Sequence, residues 1–129
     1  MPMLTLLHPR DLFDTVDMAV FNEKAMAIVA KHMEARNPIT GEMTIFQSNP
    51  KVYIDLPLIG YDPGSSVTAL CLGTLVTYGW LDRMVNLGDR IKAITKGIRL
   101  LIPAAIVPEG MDGVSITFIP KPDGAWHAA

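Results

Sequence analysis

Residues 10 to 36 contain neither proline nor glycine, whereas proline stands at 38, 50, 57, 63, 103, 108, 120 and 122. Proline removes a backbone N–H and clashes with the preceding turn, and glycine costs backbone entropy, so both interrupt helices. The widest window for a helix therefore lies near the start of the chain. Within it Met18, Phe21, Ala25, Ile28, His32 and Ala35 recur in alternating steps of three and four, one face of a helix. Met26, Val29 and Met33 broaden that face, while Asp17, Lys24 and Lys31 form only a narrow polar stripe. A helix so poor in polar residues is usually covered on more than one side. Asp11 is a candidate N-cap, and the residue before Pro38 is pushed out of the helical region, so the pattern predicts one helix over about 10–36.

Beyond residue 37 short β-branched and aromatic runs lie between prolines, which is the texture of a sheet. Strands are expected at about 43–47, 51–59, 67–80, 98–107 and 114–119. Pro57 and Pro103 belong on edge strands or at bulges, because neither donates to a ladder. The stretch "GDRIKAITKGIRLLIPA" reads two ways. Ile91, Ile94, Ile98 and Leu101 fit a helical face, yet Gly97 in a helix interior would cost about 1 kcal/mol against alanine, which favours a hairpin at Lys96-Gly97. "PEGMDG" is then a hairpin turn between the last two strands.

Residues 67 to 81 carry no charge. Fifteen residues, three of them threonine, are too few and too polar for a membrane helix, which needs about 20 apolar residues. As a strand, the run sorts large from small. Thr68, Leu70, Leu72, Thr74, Val76, Tyr78 and Trp80 share one face, and Val67, Ala69, Cys71, Gly73, Leu75, Thr77 and Gly79 share the other. The large face is expected to pack the core and the small one to admit a close neighbour. "GYDPGSS" before it is a turn rather than a phosphate loop, since no Gly-Lys-Ser/Thr ending follows. Ser65 and Ser66 are not framed by a nucleophile elbow.

Catalytic and metal-binding motifs are absent. His8, His32 and His127 lie far apart, and "His32-Met33-Glu34" lacks the cysteine half of a zinc deaminase signature. Cys71 has no neighbouring base and reads as a buried core residue. No cofactor or metal is expected. A lone cysteine and an N-terminus without a signal peptide point to the cytoplasm, or to a virion assembled there. Arg83, Arg90, Lys92, Lys96 and Arg99 form the one basic concentration. Without interleaved aromatics, and with a net charge of −2, nucleic acid is not the expected partner.

The resulting expectation is a single α+β domain over 1–129, one long N-terminal helix packed on a mainly antiparallel β-sheet or partly closed barrel, with the β-rich part at about 43–120. Charged residues make up 19% of the chain and eight residues are methionine, so apolar surface should meet a partner. The chain ends, "MPMLTLLHP" and "KPDGAWHAA", are expected to be tied to a sheet or another subunit. Function is first read as non-enzymatic: an oligomeric subunit of a larger assembly, such as a capsid decoration or tail protein, contacting itself and other proteins. Partner contacts are assigned to Arg90, Lys92, Lys96, Arg99, Tyr78 and Trp80, and no residue is assigned to catalysis. The alternative is a small enzyme or ligand-binding protein with a pocket between helix and sheet, using His32, Tyr53 or Asp55.

Overall fold

A computed structural model describes residues 2–64 and 67–121. The elements run β1 (Met3–Pro9), α1 (Leu12–Thr15), α2 (Met18–Met33), α3 (Pro50–Tyr53), β2 (Leu58–Tyr61), β3 (Ala69–Tyr78), α4 (Leu81–Met84), α5 (Leu87–Arg99) and β4 (Asp112–Lys121). Single 3-10 turns occupy Phe46–Ser48 and Ala104–Ile106. The strands form one open sheet in the order β2-β1-β3-β4. Its central pair β1–β3 is antiparallel, while β1–β2 and β3–β4 are parallel. The fold is thus α+β, but the sheet is mixed rather than mainly antiparallel, and it does not close into a barrel.

No single long N-terminal helix exists. The chain opens instead with β1, whose Leu4 and Leu6 are fully buried and alternate with half-exposed Thr5 and Leu7. The helical window is then divided because Val16 and Asp17 adopt extended backbone and the Asp17 carboxylate accepts the Val20 N–H at 2.9 Å, capping α2. Asp11 precedes α1 without a side-chain cap. At the other end Ala35 pairs with Thr44, whose hydroxyl also bonds both backbone groups of Ala35, so α2 stops at Met33. Phe21, Ala25, Val29 and Met33 then recur every fourth residue as the buried stripe.

Strands β3 and β4 stand where expected, but three other expected strands do not form. Residues 43–47 give one isolated bridge at Met43 and run into the 3-10 turn. The 51–59 stretch is split, because Pro50 opens α3 and β2 begins only at Leu58, just after Pro57. No strand covers 98–107, since α5 continues through Lys96-Gly97. The reason is close approach. A Cβ at Gly97 would lie 2.9 Å from Ile28 Cγ2 of α2, so glycine lets the two helices meet and offsets its own propensity cost. "PEGMDG" accordingly links the 3-10 turn to β4, with Gly110 at φ 78, and closes no hairpin.

The sorting of β3 is real, but its faces have the opposite roles. Cys71, Gly73, Leu75 and Thr77 point to the side covered by α2 and α5, where Cys71 and Leu75 are fully buried. Small residues there let Leu4, Leu6 and Ile116 close over Gly73, where a Cβ would meet the first and last at 3.1 Å. The large face is left outside. In register across the sheet it carries Met3 and Val76, Thr5 with Thr74 and Thr117, and Leu7 with Ile59 and Leu72. None of these is charged. Residues 122–129 and Ser65–Ser66, including the expected docking of "KPDGAWHAA", lie outside the described residues. Among those described, no helix is long and apolar enough to cross a membrane.

The helix contact yields a double-mutant test. Gly97→Ala should lower the urea midpoint despite a propensity gain of about 1 kcal/mol, because the added methyl meets Ile28. In an Ile28→Ala background the same substitution should raise the midpoint. Equal effects in both backgrounds would refute close approach as the reason for glycine.

Candidate functional site

The first turn of β1, the last turn of β3, α3 and the end of α2 meet at one end of the sheet. Met3 pairs with Val76, and the Asp55 N–H donates to the Pro2 carbonyl at 3.0 Å while Leu4 N–H donates to Asp55 at 2.8 Å. Parallel and antiparallel neighbours thereby place Tyr53 and Asp55 beside the start of β1. A cleft of about 530 Å³ opens here, lined by Asn37, Glu42, Thr44, Phe46, Ser48 and Tyr53 among others. Phe46 and Tyr53 touch across it with ring centroids 5.5 Å apart.

Behind Phe46 lies Arg83, only 1% exposed. Its guanidinium is 5.8 Å from the Phe46 ring and 4.7 Å from the Trp80 ring, and Trp80 in turn stacks on Tyr78. Nε donates to Met33 O at 2.9 Å and one terminal nitrogen to Tyr78 O at 3.0 Å. Among the described residues Arg83 forms no salt bridge; the charge is held by neutral carbonyls, by the negative end of α2 and by two ring faces. Burial, then Arg90, push its pKa down to about 10, which still leaves it charged at neutral pH.

Arg90 repeats the pattern. It donates to the carbonyls of His32, Glu34 and Asp82 and to the Asn86 side chain. Two guanidinium groups thus converge on the C-terminal end of α2 with no carboxylate salt-bridged to either among the described residues. His32, half-buried beside Arg90, has its pKa lowered by burial, then by Lys31 and Arg90.

The residues singled out in the sequence divide between two places. Tyr78 and Trp80 are half-buried and belong to this end of the sheet, as does Arg90, which is spent on carbonyls within the chain. Lys92, Lys96 and Arg99 lie exposed along α5. Tyr53 lines the cleft, Asp55 is exposed with its backbone bonded to Pro2 and Leu4 at the start of β1, and His32 sits on the Arg90 side. Among the described residues the space between α2 and the sheet is filled by Phe21, Val29, Met33, Leu4 and Leu75. Cys71 is buried, and burial raises its thiol to about 12. His8 is buried with its ring edge-on to Phe13, and His127 lies outside the described residues. Sequence reasoning missed the roles of Arg83 and Phe46. Arg83 is the first basic residue after the uncharged run, separated from it by Asp82, and that position was its only signal.

No protein-family model matches the chain, and no curated protein matches it in sequence. Solved structures do match it in fold. A crystal structure of a 5-carboxymethyl-2-hydroxymuconate delta-isomerase superposes with a TM-score of 0.64 at 14% identity, covering 99% of this chain and 91% of that one. The crystal structure of native Ps01740 gives 0.55 at 14% identity and 96% coverage of each. The chain shares their fold. This corrects the expectation of a non-enzymatic structural subunit, virion components included: the fold is one that a small enzyme uses, and the small-enzyme alternative is the better supported reading.

A pH dependence follows from His32. Its folded pKa lies below the unfolded value of 6.5, so the unfolded chain takes up a proton that the folded chain resists as the pH falls through that value. The urea midpoint should decline between about pH 7 and about pH 5, and His32→Gln should remove part of that decline. Superimposable pH profiles for the two proteins would show that His32 titrates alike in both states.

Proposed function

We propose that the protein is a small enzyme that isomerises a carboxylate-bearing small molecule by moving a proton between carbon atoms. The observation that carries this reading is the match over nearly the whole chain to a delta-isomerase fold. The site supports it. Shifting a double bond needs a group that takes and returns a proton, and a donor or cation that steadies the charge gathering on oxygen. Tyr53 supplies a phenol in the wall of the cleft, and Asp55, exposed two residues further along the chain, supplies a carboxylate; these are the group types such chemistry uses as donor and base. Arg83 and Arg90 supply positive charge that no carboxylate of the described chain cancels in a salt bridge. The reaction needs no cofactor.

The enzyme works as a homo-oligomer. Parallel strand pairs are usually covered on both faces, yet here α2 and α5 cover only one. The other face presents Thr5, Thr74 and Thr117 flanked by Leu7, Leu72 and Val76, with Lys121 beside Tyr78 at one end. A face whose centre is neutral suits its own copy, because nothing there demands an opposite charge.

Two experiments test these statements. With 5-carboxymethyl-2-hydroxymuconate and simpler unsaturated hydroxy-diacids as substrates, isomerisation should be visible as a change in ultraviolet absorbance. Asp55→Asn and Tyr53→Phe should each lower kcat/KM by about 10²–10⁴-fold without loss of fold; full activity in both variants would remove them from the chemistry. Light scattering at micromolar concentration should give a mass above the 14.1 kDa of one chain, and Thr74→Lys should reduce it. A monomeric wild type would overturn the oligomer.

A further inference from the structure

A second cavity, of about 660 Å³, opens where α5 ends, the 3-10 turn at Ala104–Ile106 passes and β4 begins. The length of β4, ten residues or about 30 Å of extended chain, separates it from Lys121, which pairs with Tyr78 at the other end of the sheet. A volume of this size holds a small organic molecule. Leu100, Ile102, Val107 and Met111 give the cavity aliphatic walls. One wall is rigid, because Pro103 and Pro108 each accept a turn-closing N–H, from Ile106 at 3.2 Å and from Met111 at 3.1 Å. Gly113 lets the Arg99 stem and Val107 settle on bare backbone, since a Cβ there would meet Arg99 Cγ at 3.3 Å and Val107 Cγ2 at 3.8 Å. The charged residues of the lining are Arg99, Glu109 and Asp112, all exposed, and among the described residues none of them forms a salt bridge. Glu109 and Asp112 flank one tight turn, in which Gly110 stands at φ 78. Two carboxylates therefore face one guanidinium. Arg99 and Leu100 also bring the C-terminal end of the 13-residue α5 to the same space, and that end of a helix is negative. Lys96, the preceding cation of α5, does not line the cavity.

We propose that this cavity binds a small apolar amine, with its hydrocarbon body against the aliphatic walls and its protonated nitrogen at Glu109 and Asp112. The inference is independent of the enzymatic reading, because the cavity shares no lining residue with the cleft beside Tyr53. Apolar walls supply attraction without direction, and the charges at the mouth supply the choice of ligand. An anion of the same size meets two carboxylates and a helix C-terminus against a single guanidinium, so the balance of charge rejects it. A neutral molecule keeps the wall contacts and gains nothing from the carboxylates. Arg99 tempers the preference: its stem belongs to the wall while its charge opposes the amine.

Gly110 and Gly113 carry the reporters, because their amide resonances fall in the lining. The full chain, labelled with nitrogen-15, is titrated at neutral pH with hexylamine and, as controls of the same body, hexan-1-ol and hexanoate. Hexylamine should shift both glycine resonances saturably, and more tightly than either control. Replacing both carboxylates, Glu109→Gln with Asp112→Asn, should weaken hexylamine by about fivefold or more, and Arg99→Gln should tighten it by about twofold, since each removes a charge near the nitrogen. All three side chains are exposed, so the melting temperatures should stay close to that of the parent. Parent-like affinity in the double variant overturns the inference, as does hexan-1-ol or hexanoate binding as tightly as the amine. Absence of a saturable shift at both glycines overturns it too, and so do shifts that gather at Tyr53 instead. None of these results bears on the isomerase reading, which the turnover assay decides.

Discussion

A positive charge held inside the protein, with no carboxylate of the described residues salt-bridged to it, organises one whole end of this fold. Moving a guanidinium out of water is costly unless its donors are satisfied and its charge is balanced. Arg83 meets that condition by joining the last carbonyl of α2 to the last carbonyl of β3, with Trp80 and Phe46 against it. Helix α4 exists to deliver it: a single turn after the strand, with Arg83 its one buried residue. The loop from 34 to 48 is held against the same place through Arg90, which bonds the carbonyls of His32 and Glu34. The cleft beside Tyr53 is therefore a consequence of this anchoring.

The opposite requirement, closeness without charge, shapes the rest of the molecule. Gly97 brings α5 onto Ile28 of α2, and Gly73 brings β3 under Leu4 and Leu6. Both positions look like weaknesses when propensity alone is considered. Packing reverses that judgement, because methylene contacts over a long interface outweigh about 1 kcal/mol of backbone entropy. The one ion pair among the described residues, Arg10 with Asp62, contributes little by comparison, since both side chains are mostly in water.

These two constraints together explain where chemistry is possible. The middle of the sheet is filled by Leu4, Leu75, Phe21 and Val29 and leaves no room for a ligand. Only at the strand ends do polar groups, aromatic rings and uncancelled positive charge come together.

Several features of this protein were determined by the sequence itself. The absence of proline and glycine from 10 to 36 secured a helix there, the uncharged run at 67 to 81 secured β3, and "VSITFI" secured β4, because each carries its periodicity locally. The burial of Cys71 agrees with its reading as a small core residue without a neighbouring base. Tertiary structure decided what depends on distant neighbours. It set the start of α2 through the Asp17 cap, the helical state of 87–99 through contact with Ile28, and the faces of β3 through the helices that cover the small one. It also made the cleft, since Tyr53 and Phe46 meet there and Arg83 packs behind Phe46 through contacts between distant segments rather than by spacing along the chain. A local pattern is legible in sequence because it repeats within a few residues. A convergence of groups from four elements is not, because its geometry exists only after the sheet has paired and the helices have packed.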